Sequence, residues 1–301
     1  MRKTLMGWGL KDANVSAGAA KVRTRLGLAR QAARRIKRII GAVSPSRSGR
    51  SVILLYHSVG SPFPVSIPVA EFRRQMESLQ QNYHVVSILE LIARVRAGET
   101  GFAAVTFDDG YSDCYEHAFP ILNRLSIPFV LFVATAFVER GECDFGPEYS
   151  ELLPLTWPQI LEMQRHGALV GGHTHTHIRW STQSTRDLRL DLHLSKRILE
   201  QRTGSEITAF AYPFGQPHDF DGRAPRLLRE AGFSQAFTTL HTTFRRCPEP
   251  FLIPRITINA CDMFSEFVEQ TNGKRDLIAF GQTLRSRTKQ WRRVELTRAW
   301  R

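Results

Sequence analysis

The sequence predicts an α/β fold built on a parallel sheet or a (β/α) barrel. Short apolar runs alternate with amphipathic segments through about 200 residues, which is the pattern of repeated β-α units. Runs such as 52–56 and 102–107 are apolar almost throughout, as is typical of strands buried on both faces in parallel sheets. Polar side chains follow several of these runs, at the strand ends where ligands collect in such folds.

Eight strands are predicted, each from a short run of aliphatic, β-branched or aromatic residues. They cover residues 51–57, 84–87, 102–107, 128–134, 168–172, 207–212, 235–239 and 252–258. Residues 141–155 contain Gly, Pro and acidic residues and predict an irregular loop.

Seven helices are predicted from apolar residues spaced three and four positions apart. They cover residues 69–82, 88–97, 112–125, 156–166, 184–203, 223–231 and 260–272. Thr156 is a cap candidate followed by Pro158, and Ser184 or Thr185 begins the longest helix. Pro120 is expected to interrupt or kink the helix that contains it.

Positive charge is concentrated at the two ends of the chain. Residues 1–50 hold 13 Lys or Arg and one acid, and residues 281–301 hold seven and one. The stretch 51–280 holds 21 Lys or Arg against 26 acids and is therefore mildly acidic. A nucleic-acid enzyme would carry its positive charge around the active site, so no nucleic-acid partner is expected.

Residues 21–43 predict a basic amphipathic helix, with one apolar stripe and with Arg and Lys on its other faces. Such a helix is a candidate for peripheral contact with an anionic membrane; docking on its own domain or on a partner protein is the alternative. We therefore divide the chain into a basic amphipathic extension and linker (1–48), a globular domain (49–272) and a basic tail (273–301).

The composition predicts a cytoplasmic protein, with peripheral binding at the inner membrane face through residues 21–43. No run of 18 or more apolar residues is present, so no transmembrane helix is predicted. The apolar stretch at the start is too short for a signal-peptide core. The four cysteines are widely spaced, as expected of reduced thiols.

Two adjacent acids, Asp108 and Asp109, end the predicted strand 102–107 and precede Gly110. Asp-Gly is a common turn signal, so a solvated turn is the plain interpretation of this pair. Their place at the carboxyl end of a buried strand also suits a ligand site.

Three histidines, His173, His175 and His177, follow another predicted strand. Buried together, they would need a partner for each ring nitrogen, which a divalent ion would supply; a polar surface loop is the alternative. On an extended strand all three would share one face, whereas on a helical turn His173 and His177 would converge. Zinc suits either set. Asp109 would complete a site of two histidines and a carboxylate, leaving Asp108 as general base.

Three motifs in this order resemble those of the polysaccharide deacetylase family, carbohydrate esterases related to the nodulation chitooligosaccharide deacetylase: T-F-D-D-G at 106–110, H-T-x-x-H at 173–177 and Y-P-F-G at 212–215. The resemblance implies a distorted (β/α) barrel of seven or eight strands, with the catalytic domain at 49–272. It implies Asp108 as the base and a site for Zn²⁺, or for another divalent transition metal such as Co²⁺ or Ni²⁺. The implied ligands are Asp109, His173 and His177.

The family's general acid, a histidine in a Leu-x-His segment near the domain end, has no counterpart after residue 215. Residues 52–57, V-I-L-L-Y-H, look like that closing strand moved to the front, as in the circularly permuted deacetylases of poly-N-acetylglucosamine. The resemblance therefore implies His57 as general acid, and a strand-end histidine bonded to a loop is the alternative. Ala211 stands where the family usually has a base-orienting arginine, and Arg255 is the candidate replacement.

The predicted function is metal-dependent hydrolysis of N-acetyl groups on an amino-sugar polysaccharide, oligosaccharide or lipid-linked glycan. Tyr212, Pro213, Phe214 and Gly215 are assigned to the substrate, with a backbone N–H near Tyr212 for the oxyanion. Four aromatic residues are candidates either for sugar stacking or for the core: Tyr111, Trp180, Phe214 and Phe220. The alternatives are hydrolysis of a non-carbohydrate amide or cyclic imide on the same fold, and a non-catalytic carbohydrate-binding relative.

Overall fold

A parallel sheet forms the centre of the fold in the computed structural model, which describes residues 49–63, 66–140 and 152–276. Seven strands lie in the order β10-β1-β5-β6-β7-β8-β9, and β4 pairs with β5 beside this path. The strands are β1 (Val52–Tyr56), β2 (Ser58–Val59), β3 (Ser66–Ile67), β4 (His84–Val85), β5 (Phe102–Phe107), β6 (Phe129–Val133), β7 (Leu169–Gly172), β8 (Ala209–Ala211), β9 (Gln235–Phe237) and β10 (Ile256–Thr257).

The two edges of this sheet are joined by the segment that leads into β10. Ile253 bridges Phe237 of β9 in parallel, and three residues later Ile256 pairs with Leu54 of β1. Because one short segment contacts both edges, the sheet closes on itself. This confirms the predicted distorted (β/α) barrel. The strand predicted over 252–258 is shorter than expected, since the chain passes from one neighbour to the other within it.

Eight helices surround the barrel in the described ranges. They are α1 (Val69–Asn82), α2 (Ile88–Arg96), α3 (Phe119–Arg124), α4 (Thr135–Arg140), α5 (Trp157–Arg165), α6 (Thr185–Thr203), α7 (Ala224–Glu230) and α8 (Phe264–Thr271). None of the helices in the described part of the chain is long and apolar enough to span a membrane.

Local sequence signals set several helix ends. The Ser184 hydroxyl accepts the N–H of Asp187 at the start of α6, and Gly204 ends this helix in a left-handed conformation. The helix predicted over 112–125, with an interruption or kink at Pro120, is interrupted just before that proline. A π-helical turn (Cys114–Ala118) precedes α3, and Pro120 lies in the first turn of α3, where a missing N–H costs no hydrogen bond. Helix α4 was not predicted.

Alternate side chains of the strands enter two different cores. One set packs outward against the helices, as Leu54 does in the cluster that contains Phe72 and Met76 of α1; burying each such side chain contributes about 1.5–3 kcal/mol. The other set, including Ile53 and Phe132, forms an inner cluster enclosed by the strands, to which α2 is the main helical contributor. Arg255, one of the candidate site residues, lies over Phe132 on this inner face.

The packed domain continues beyond the predicted boundary at residue 272. Arg275 is fully buried and forms ion pairs with Glu266 and Glu269. Asp276 pairs with Arg50 at 2.5 Å, which ties the two ends of the domain together. The predicted membrane helix at 21–43 and most of the basic tail lie outside the described residues.

Candidate active site

Functional side chains converge at the carboxyl ends of the barrel strands. Asp108 follows β5, His57 follows β1, His173 follows β7 and Tyr212 follows β8. Because these strands are parallel members of one sheet, their carboxyl ends share one rim. The Asp108 N–H donates to the Tyr56 carbonyl at 3.0 Å, which fixes the acid pair beside the end of β1.

Asp109, His173 and His177 form a cluster suited to a metal ion. The Nε2 atoms of His173 and His177 each lie 3.2 Å from Asp109 Oδ1, and three ligand atoms of the trio lie within 4.8 Å of one another. All three side chains are buried. Asp109 has φ 73°, an uncommon conformation for a non-glycine residue, and it turns this carboxylate away from Asp108 towards the histidines.

The positions of these ligand atoms are better explained by a cation between them than by hydrogen bonds among them. The Nδ1 atom of His173 lies 2.8 Å from the Ala211 carbonyl, so Nδ1 carries the proton and Nε2 presents a lone pair to a carboxylate oxygen. That oxygen, Asp109 Oδ1, is buried without a well-formed hydrogen bond. Tetrahedral zinc with bonds of about 2.0–2.2 Å would hold its ligands about 3.3–3.5 Å apart, close to the observed separations.

The charges of the trio are strongly coupled. Burial opposes ionisation of Asp109, but the nearby imidazoles, His177 foremost, hold the pKa of its carboxyl well below its usual range. Burial also opposes the charged form of His173, yet Asp108 and Asp109 outweigh it and raise the pKa of this imidazole. Burial lowers the pKa of His177, which favours the neutral form that binds metals.

Asp108 is held by the residue predicted to replace the missing arginine. The guanidinium of Arg255 donates to both carboxylate oxygens of Asp108, at 2.6 and 2.7 Å. Arg255 also donates to the Thr238 carbonyl and the Thr106 hydroxyl, and it has no exposed surface. A bidentate pair fixes the plane of the carboxylate, so Asp108 has a single orientation beside the metal cluster.

His57 is half-buried at the same rim, and it is one of the groups that lower the pKa of Asp109. The chain after it is anchored by Asp113, a buried carboxylate that accepts hydrogen bonds from the hydroxyls of Ser58 and Ser61. The strand end that carries His57 is thus tied to the segment that follows the acid pair.

The backbone hydrogen bonds of residues 212–215 limit which N–H near Tyr212 could serve as the predicted oxyanion donor. The Tyr212 N–H donates to the Phe237 carbonyl and the Gly215 N–H to the Pro213 carbonyl, so neither can serve an oxyanion. Pro213 has no N–H. Of these four residues, Phe214 alone has an amide N–H without a hydrogen bond in the described structure. Phe214 is therefore the candidate, among these four residues, for the oxyanion donor predicted near Tyr212.

The four aromatic candidates divide between core and rim. Tyr111 and Trp180 are buried and pack against other core rings. Phe220 is half-buried and stacks on Tyr212 with ring centroids 4.2 Å apart. Only Phe214, 43% exposed, presents a ring at the site itself, 4.9 Å from that of His177.

His175 lies outside the metal cluster. Its Nδ1 atom is 2.8 Å from the Thr135 hydroxyl, on the side facing α4. The two-histidine arrangement is therefore the one observed. Sequence reasoning missed a residue that shapes this loop, Asp191 of α6, which accepts hydrogen bonds from the backbone of residues 175 and 176. The sequence signal that could have identified Asp191 is its position between Leu188 and Leu192, on the buried stripe of this helix.

Comparisons with known proteins agree with this site. The polysaccharide deacetylase family model matches residues 96–236, a range that contains the acid pair and the histidine loop but neither His57 nor Arg255. The chain is 26% identical over 243 residues to the poly-beta-1,6-N-acetyl-D-glucosamine N-deacetylase of Escherichia coli (strain K12), covering 68% of this chain and 35% of that protein.

The enzyme of the same name from Staphylococcus aureus (strain MRSA252) is 27% identical over 179 residues, covering 56% of this chain and 58% of that protein. The chain therefore spans only part of the length of both relatives. Among solved structures, IcaB from Ammonifex degensii superposes with a TM-score of 0.63 at 27% identity, covering 76% of this chain and 98% of that one.

Proposed function

We propose that this protein is a metal-dependent deacetylase that hydrolyses N-acetyl groups of an amino-sugar glycan, since residues 96–236 match the polysaccharide deacetylase family model. The observation that carries the proposal is the convergence of Asp109, His173 and His177 beside a carboxylate, Asp108, that is not needed as a ligand. Poly-N-acetylglucosamine is the substrate we favour, because two relatives named as its deacetylases are 26% and 27% identical to this chain over 68% and 56% of its length.

Asp109, His173 and His177 would hold the divalent ion, Zn²⁺ or another transition metal such as Co²⁺ or Ni²⁺. When bound there, such an ion would supply Lewis-acid chemistry to a water molecule and to an amide carbonyl. The remaining groups at the rim are then available for proton transfer and for charge stabilisation.

Asp108 would take a proton from the attacking water as general base. Its two oxygens are oriented by Arg255, so the carboxylate reaches the reacting water without first reorganising. The Phe214 N–H would donate to the oxygen that becomes negative in the tetrahedral transition state. His57 would protonate the departing amine, so that the C–N bond breaks to give acetate and a free amino sugar.

An assay of acetate release tests the proposal directly. Purified protein should release acetate from N-acetylglucosamine oligomers and leave a cyclic imide unchanged. Hydrolysis of the imide without acetate release would favour the non-carbohydrate alternative. A protein that binds the oligomers, holds no divalent ion and releases no acetate would be the non-catalytic relative.

His57→Ala is expected to lower turnover by roughly 10²–10⁴-fold, as removal of a general acid does. Zinc content should not change, because His57 is outside the ligand cluster. The matched control is His193→Ala, which removes an exposed histidine of α6 and should leave turnover as in the wild type. Unchanged turnover in His57→Ala would remove this residue from the mechanism.

Removal of the metal with a chelator is expected to abolish acetate release while the protein stays folded, because the barrel core is built without the ligand cluster. Adding Zn²⁺ at about 100 times its dissociation constant should stabilise the folded state by about 2.7 kcal/mol, or roughly 5–10 °C in Tm. His177→Ala should lose this thermal shift. A chelated protein with full activity would contradict the role of the metal.

A further inference from the structure

The loop that carries both histidine ligands has an unusual backbone. Thr174 has φ 65° and His177 has φ 53°, so two side-chain-bearing residues within four positions adopt the left-handed conformation that favours glycine. Such residues persist only where the surrounding structure holds them in place. The shape of this loop matters because it sets where the two Nε2 atoms point.

Asp191 of α6 holds this loop from one side. Its Oδ1 atom accepts the N–H of His175 at 2.7 Å. Its Oδ2 atom accepts the N–H of Thr176 at 3.1 Å and the Thr176 hydroxyl at 2.7 Å. Asp191 is only 8% exposed. Hydrogen bonds from neutral donors to a buried carboxylate are stronger than those between neutral groups.

The opposite side of the loop is held by the start of α4. The Ala136 N–H donates to the His175 carbonyl at 2.8 Å, and the Thr135 hydroxyl lies 2.8 Å from His175 Nδ1. His175 is thus clamped between two helices through both its backbone and its ring. Arg140 of α4 also lies 3.3 Å from His175 Nε2, and Asp191 is the group that accepts three hydrogen bonds from the loop.

We propose that Asp191 is a positioning residue for the metal site. Its hydrogen bonds go to residues 175 and 176, which lie between the two histidine ligands, and it acts through this stretch of backbone. By accepting both consecutive N–H groups it keeps the left-handed loop closed, so that both Nε2 atoms face Asp109 Oδ1. This inference rests on the proposed function only in assuming that the cluster binds a divalent ion.

Titration of the metal-free protein with Zn²⁺ tests the proposal without any glycan. Asp191→Asn places an amide NH₂ where Oδ2 now accepts two donors, and Asp191→Leu removes all three acceptor contacts. We expect the zinc affinity to fall about 10–100-fold, as is usual when a residue that orients metal ligands is replaced, with a larger loss for leucine. Thr176→Val removes only the hydroxyl contact and should give a smaller loss, which keeps the test available if Asp191→Leu does not fold.

Asp187→Asn is the matched control. This exposed acid lies one turn earlier on α6 and its carboxylate accepts from the Ser184 hydroxyl, so its replacement changes the same helix without touching the loop. Zinc affinity in this variant should equal that of the wild type. Equal losses in Asp187→Asn and Asp191→Asn would mean that the helix as a whole, and not the loop contact, determines affinity, and would overturn the proposal.

Cobalt provides a readout that general destabilisation would not change. The visible absorption of bound Co²⁺ depends on ligand geometry, so Co²⁺-loaded Asp191→Asn should show shifted bands, whereas Asp187→Asn should not. Wild-type zinc affinity together with an unchanged cobalt spectrum in a folded Asp191→Asn protein would refute the positioning role. Since neither measurement contains substrate, a wild-type protein that binds zinc but releases no acetate would contradict the proposed function alone.

Discussion

Asp108→Asn is expected to lower acetate release by about 10²–10⁴-fold, because asparagine keeps the shape of the side chain but cannot accept the proton of the attacking water. Zinc should remain bound, since the ligand trio does not include Asp108. The variant should also be less stable. Its neutral side chain leaves the fully buried guanidinium of Arg255 without a counter-charge, and breaking a buried pair in this way costs about 3–5 kcal/mol.

The asparagine side chain of this variant would still present one oxygen to Arg255, so we expect a loss near 3 kcal/mol, or roughly 6–12 °C in Tm for a domain of this size. Activity should therefore be measured well below the unfolding transition, with zinc content determined on the same sample. Asp262→Asn is the matched control. Asp262 is buried and accepts from the Gln270 amide, so its replacement should destabilise the domain without a comparable loss of turnover.

Turnover of Asp108→Asn within a few-fold of the wild type, in folded and zinc-loaded protein, would exclude this carboxylate as the base. A loss of turnover that follows the loss of zinc would instead mean that Asp108 supports metal binding. The two outcomes are separable because Asp108 Oδ2 lies 4.0 Å from His173 Nε2, near enough for an indirect effect on that ligand.

Sequence reasoning located the parts of this site that depend on local order. Asp108 and Asp109 end a buried strand and His173 ends another, so the rule that ligands collect at the carboxyl ends of parallel strands brings them together. The choice of His177 over His175 needed the family resemblance, because the spacing fits two backbone shapes. The left-handed residues Thr174 and His177 produce a shape that neither simple template describes.

The features that sequence reasoning missed depend on contacts between distant segments. The barrel itself was predicted, but the way it closes was not: Ile253 pairs with β9 while Ile256 pairs with β1, which no run of hydrophobic residues reveals. Which N–H near Tyr212 is free for an oxyanion also depends on such a contact. Whether the amide of Tyr212 or that of Phe214 is used by the sheet depends on where β8 stops pairing with β9.

Arg255 shows how a long-range contact can still be inferred from a chemical need. In the family that the motifs resemble, an arginine usually orients the base, and Arg255, beside a predicted strand, is the candidate replacement. The contact spans 147 residues of sequence. The complete burial of Arg255 could not be predicted from the sequence, because an arginine is rarely buried unless its charge is paired. Gly171 helps to make the room, because a Cβ atom there would lie 2.5 Å from the ring of Phe132, over which Arg255 stacks.

Arg255→Met is expected to destabilise the domain by about 3–5 kcal/mol, the largest stability loss that we predict for a single substitution at this site. Methionine fills much of the same volume but leaves Asp108 as a buried carboxylate without its counter-charge. Turnover should fall about 10²-fold as well, since the Asp108 carboxylate loses the two guanidinium hydrogen bonds that orient it. Arg255→Lys keeps the charge but cannot donate in a bidentate manner, so it should fall between the wild type and Arg255→Met in both properties.

The double variant Asp108→Asn/Arg255→Met separates the two roles of the pair. With neither charge left in the barrel interior, its stability should recover most of what Arg255→Met loses, because the cost of a broken buried pair lies in the charge that remains. Its turnover should stay as low as that of Asp108→Asn, because the base is absent. Denaturant unfolding of the wild type, the two single variants and the double variant gives the coupling free energy between Asp108 and Arg255 in stability. Acetate release by the same four proteins gives the corresponding coupling in turnover. Additive stability losses in the double variant would show that Arg255 stabilises the barrel mainly through Thr106, Thr238 and Phe132, and that its pairing with Asp108 contributes little.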